Sequence, residues 1–112
     1  MILVDADACP VKEQIYAAAY RHNIPVRLFA ARYLRHPDHP LISMTMAGEG
    51  FDAADDLIAE AAAPGTLVVT ADLPLAARAI EAGAFVLTPR GEVLDARNIG
   101  AKVATRDLMA EL

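Results

Sequence analysis

Six aspartates in three short stretches carry the chemistry open to this chain. Asp5 and Asp7 close an apolar run in ILVDADACP, Asp52, Asp55 and Asp56 crowd into GFDAADD, and Asp72 ends VVTAD. Carboxylates held near one another repel and raise one another's pKa, and a hard divalent cation such as Mg²⁺ or Mn²⁺ takes the same oxygens as ligands. One or two such ions activate water and stabilise in-line displacement at phosphorus, with no need for a serine, cysteine or histidine nucleophile. Metal-dependent phosphodiester or related phosphate chemistry is therefore the reaction class these acids suggest.

For the acids to meet, three segments must reach one edge of the fold. Residues 2–5 are apolar up to the closing acid, as in a strand buried on both faces of a parallel sheet, and residues 67–71 repeat the pattern ahead of Asp72. Pro10 suits a first helical turn, and Val11, Ile15, Ala18 and Ala19 recur at helical spacing before Asn23 and Pro25 stop the element. VRLFA (26–30) and LISMTM (41–46) read as strands on either side of a proline-broken loop. A second helix starts near Asp52, with Ala54, Leu57, Ile58 and Ala61 on its core face, and ends at Pro64-Gly65. A third follows Asp72 and closes at Gly83, residues 84–88 form a further strand, and PRGEVLD forms a small hairpin or loop. Thr105 is expected to cap a short last helix, TRDLMAEL.

Strands alternating with helices predict an α/β fold, a mostly parallel sheet in three layers with helices on both faces and right-handed crossovers. With 112 residues, one domain spanning 1–112 is expected. Ligands of such sheets bind beyond the carboxyl ends of the strands, so Asp5 and Asp72 belong at that edge and the helix start at Asp52 faces it. The core face of that helix puts Asp56 nearly opposite and Asp55 on a flank, which makes Asp55 the better ligand. Asp7 reads as a second metal ligand or as a turn residue, and Asp52 as a ligand or a helix cap.

Fifteen acids against ten Lys and Arg leave a net charge of −5, so a nucleic-acid partner requires segregated cations or bound metal. Arg21, Arg27, Arg32, Arg35, His36 and His39 gather around the second strand and the loop after it, and Arg90 follows the strand at 84–88. Arg32, Arg35 and Arg90 are the candidate phosphate contacts. A single cysteine, Cys9, excludes an internal disulfide and a multi-cysteine zinc site and suggests packing in a reducing compartment. With no long apolar segment and no basic leader, a soluble cytoplasmic protein without a membrane partner is expected.

ILVDADACPVK, GEGFDAADDLIAE and VVTADLPLAARAIEAGAFVLTPRG, in that order, resemble the YaiI/YqxD family of bacterial proteins over most of the chain. That family is similar in turn to the wider PIN-like group, in which acids at strand ends and helix starts hold Mg²⁺ or Mn²⁺ for RNA cleavage. The resemblance implies a PIN-like nuclease fold with RNA as substrate. Asp5 matches the first-strand acid, Asp52 or Asp55 the central acid and Asp72 the acid after a later strand. Thr70 matches a supporting polar group. Relatives usually run on beyond RDLMAEL, so a shortened C-terminus is expected.

Two other readings stay open. ILVDADA has the form of a phosphatase hhhDxD motif, with Asp5 as nucleophile and Asp7 as general acid, although ACP stands where Gly-Thr usually continues it. A non-catalytic module that binds nucleic acid or protein through the same fold is the third.

Overall fold

The computed structural model describes residues 1–112. Its single sheet runs β3-β2-β1-β4-β5-β6, with the first five strands parallel and the last antiparallel to its neighbour. The strands are β1 (Ile2–Asp5), β2 (Val26–Ala30), β3 (Ile42–Met46), β4 (Leu67–Val69), β5 (Phe85–Leu87) and β6 (Val93–Leu94). The helices are α1 (Lys12–His22), α2 (Ala53–Ala61), α3 (Leu73–Glu81) and α4 (Ile99–Glu111), with a 3-10 turn at Ala6–Ala8 between β1 and α1.

The unbroken apolar run of β1 follows from covering on both sides. Ile2 and Val4 pack with Tyr16 and Ala19 of α1, whereas Leu3 points the other way, into a second core with Ile58 of α2 and Leu75, Ala76 and Ala79 of α3. Successive side chains of a strand face opposite ways, so each of these residues serves one layer and none is left for solvent. Ile99 of α4 packs against the second core, which puts α4 in the layer of α2 and α3. No helix is long and apolar enough to cross a membrane.

The helix ends are where local sequence acts most directly. Asn23 closes α1 in the left-handed conformation at φ 54°, which its short polar side chain tolerates. Asp72 caps α3, its Oδ1 accepting the Leu75 N–H at 2.9 Å, and Pro74 sits in the first turn, where no N–H is required. Gly83, at φ 89°, follows α3, and a Cβ there would stand 3.0 Å from Pro64 Cγ, so the turn and the close approach both require glycine.

The last helix differs from the sequence-based expectation. It starts at Ile99 rather than at Thr105, and Thr105 lies inside it, with its hydroxyl donating to the Ala101 carbonyl. The start moves because Asp95 Oδ1 accepts the N–H groups of Arg97 and Asn98 while Asn98 Oδ1 accepts that of Asp95. This reciprocal capture fixes the turn that launches the helix. PRGEVLD does form a small hairpin, with Val93 and Leu94 pairing back onto β5.

Candidate functional site

From β1 the chain steps outward through β2 to β3, then crosses back so that β4 lands on the other flank of β1. The strand order therefore reverses between β1 and β4, and the crevice beyond the carboxyl ends of those two strands is the place where such sheets bind ligands. Register aligns Val4 with Val69, which sets Asp5 beside Thr70. The Thr70 hydroxyl donates to Asp5 Oδ2 at 2.9 Å and accepts the Asp72 N–H at 3.0 Å. Thr70 is 1% exposed, and it ties the two acidic strand ends together. Burial raises the pKa of Asp5, the Thr70 hydrogen bond opposes that rise, and the charges of Asp72 and Asp7 add to it.

The first turn of α2 supplies the third segment. Burial, followed by the charges of Asp72, Asp5 and Asp52 and a hydrogen bond with Asp52, pushes Asp55 up to about 6. Asp52 precedes the helix at φ 58°, a left-handed conformation uncommon outside glycine, and makes no side-chain cap. The sequence-based expectation that Asp52 caps the helix is therefore not met. Asp56 turns away to Arg78 at 2.8 Å on the exposed surface, which agrees with the preference for Asp55. Asp5, Asp7, Asp52 and Asp55 line a cleft of about 180 Å³ whose wall is opened by Gly48 and Gly50.

Oxygen donors of this kind suit Mg²⁺ or Mn²⁺, which bind through one or two carboxylates and keep several waters. No three Asp, Glu, His or Cys side chains, however, come together in a way that could hold a metal ion. Two of the acids are partly committed elsewhere: Asp7 Oδ2 accepts the Ala31 N–H at 3.0 Å, and Asp72 Oδ1 caps α3. The acids as they stand therefore do not fit an ion held by several aspartates at once; at most one or two carboxylates could reach a cation that keeps its water.

The candidate cations lie outside the acid-lined cleft. Arg32 is paired with Glu49, while Arg35 makes no ion pair and lines a cleft of about 470 Å³ with Lys12 and His36. His36 and His39 do not act together, since His39 Nδ1 accepts the Leu41 N–H and its ring lies 4.4 Å from that of Tyr20. Arg90 borders a third cleft, of about 740 Å³, together with Lys102 of α4. Sequence reasoning missed Lys102 because it placed the helix start after it; the signal was Asp95 and Asn98, three residues apart. Cys9 is buried in the α1-side core, as expected of a packing residue.

The sequence profile described as "Uncharacterized BCR, YaiI/YqxD family" matches residues 3–112. A UPF0178 protein of Jannaschia sp. (strain CCS1) is 68% identical over 112 residues, all of this chain and 72% of the relative. One from Rhodopseudomonas palustris (strain HaA2) is 54% identical over 99% of this chain and 68% of its own length, and one from Sphingopyxis alaskensis is 55% identical over 100% and 73%. No solved structure gives a significant match. With the profile covering nearly every residue and these relatives matching 99% or more of this chain, the chain belongs to the YaiI/YqxD family.

Proposed function

We propose that this protein hydrolyses phosphodiester bonds, with RNA as substrate and Mg²⁺ or Mn²⁺ at the acidic crevice. The observation that carries this reading is the meeting of Asp5 and Asp7 with Asp52 and Asp55 on one cleft, where burial first, and then the charges of Asp72, Asp5 and Asp52, push the Asp55 carboxyl up to about 6. Side chains that raise one another's pKa at a strand-order reversal form a site short of positive charge. Asp5 and Asp55 are the residues that would hold the ion, with Asp52, Asp7 and Asp72 contributing through charge and bound water. The ion supplies Lewis-acid stabilisation of the phosphate and an activated water. The PIN-like resemblance supports both the RNA substrate and the choice of metal.

The chain's own residues do the positioning. Thr70 orients Asp5 and fixes the start of α3 through the Asp72 N–H. The Ala31 N–H holds Asp7 against the segment after β2, so that one of its two oxygens serves structure. That commitment disfavours the phosphatase reading, in which Asp7 must deliver a proton to the leaving group. Arg35 follows β2 and Arg90 follows β5, the strands on either side of the β1–β4 pair that carries the acids, which suits a phosphate backbone crossing the sheet edge.

The test is cleavage of an end-labelled RNA oligonucleotide with Mn²⁺ by the wild type and Asp5→Asn. The wild type is expected to cleave and the variant to be inactive while keeping its circular dichroism spectrum. Cleavage that persists undiminished in Asp5→Asn, or in excess chelator, rules the mechanism out.

A further inference from the structure

The largest cleft on the molecule opens beside the acids rather than over them. Ala8, one residue past Asp7, and Ala71, between Thr70 and Asp72, form its inner side, so it shares the strand ends that carry the site. Its outer wall is the turn from Thr88 to Glu92, closed by Thr88 N–H to the Glu92 carbonyl at 2.8 Å, Gly91 N–H to the Thr88 carbonyl at 2.9 Å and Glu92 N–H to the Thr88 hydroxyl at 3.1 Å. Arg90 is thereby carried on a pinned turn, and it forms no ion pair. Lys102 enters from α4 and is held by Glu92 at 2.8 Å.

From these features we infer that the cleft is a nucleotide subsite. Arg90 and Lys102 receive a phosphate group, and the sugar and base occupy the remaining volume against Pro10 and Pro89. The volume of about 740 Å³ is far more than a phosphate fills and lies within the usual range of about 300–1,000 Å³ for small-molecule sites. Two cations from separate elements suit a single anionic group, and the apolar proline and alanine surfaces suit a flat ring. Glu92 tunes the affinity, since it occupies Lys102 when no phosphate is bound and repels phosphate when one arrives. The assignment rests on the phosphodiester reading for its meaning, because the nucleotide held here is the one adjoining the scissile bond.

Calorimetric titration of the full chain with adenosine 5′-monophosphate, and separately with inorganic phosphate, in chelator tests the cleft without metal or turnover. The nucleotide should bind more tightly than phosphate, and Arg90→Ala and Lys102→Met should each weaken it about tenfold. Lys102→Met keeps the aliphatic stem, and its helical spectrum provides the folding control. Glu92→Gln should tighten binding several-fold, a gain that a purely structural role for the Lys102–Glu92 pair does not produce. Nucleotide affinity unaltered in Arg90→Ala and Lys102→Met, or equal affinity for phosphate and nucleotide, overturns the subsite. Because no step of this measurement requires catalysis, an inactive wild type leaves its outcome intact, and unaltered binding leaves the metal site intact.

Discussion

Replacing Asp55 by Asn should stabilise the metal-free protein at neutral and alkaline pH. The carboxyl of Asp55 sits at about 6 instead of its ordinary 3.8, so the folded chain holds that proton more tightly than the unfolded one. Stability therefore falls as pH rises from 3.8 to 6, and above 6 the cost of burying the charge, together with its repulsion from Asp72, Asp5 and Asp52, is present in full. At ~1.4 kcal/mol per pH unit the displacement corresponds to about 3 kcal/mol, and the partial exposure of Asp55 reduces this to about 1 kcal/mol after solvent screening. For a domain of this size that is a rise in Tm of roughly 4 °C. Thermal melts of wild type and Asp55→Asn in chelator at pH 8.0 and pH 4.5 give the comparison. The variant should melt higher at pH 8.0, and most of that gain should be gone at pH 4.5, where the native carboxyl is already protonated. A variant that melts at or below the wild type at pH 8.0 would refute the burial and crowding of charge on which the site is built.

Thr70→Val keeps the shape of the side chain but leaves Asp5 Oδ2 and the Asp72 N–H without their buried partner, at a cost of about 1–3 kcal/mol read from urea unfolding at pH 7. An unchanged unfolding midpoint would show that the hydroxyl does not bridge the strand ends. Asp56→Asn removes only an exposed pair with Arg78 and should change stability by less than about 0.5 kcal/mol while RNA cleavage continues at the wild-type rate. A large loss of cleavage in that variant would move the site onto the other flank of α2.

The parts of the fold that could be read from sequence are those where one physical requirement dominates. ILV and LVV are apolar throughout because both faces of the sheet are covered, and that pattern located the strands whose ends carry Asp5 and Asp72. The spacing of Leu57 and Ile58 separated Asp55 from Asp56 in the same way, since the core face of a helix fixes its outer faces. Other features depend on contacts between distant residues and leave no local mark. The hydrogen bond from Ala31 to Asp7 spans 24 positions, and that from Thr70 to Asp5 spans 65. The left-handed backbone at Asp52 has no signature in GFDAADD, which reads as a capped helix start. The early start of α4 was hidden because the helix buries none of its residues fully and so lacks strong apolar periodicity. The missed start concealed Lys102, and with it the second cation of the largest cleft.

The most direct test of the metal reading is a crystal soaked with Mn²⁺ and measured for anomalous scattering. The account predicts one or more peaks in the crevice between β1 and β4, within direct or water-bridged reach of both Asp5 and Asp55, and lost in Asp5→Asn. Crystals that show no anomalous peak near these acids at millimolar Mn²⁺, or a peak that survives Asp5→Asn unchanged, would contradict it.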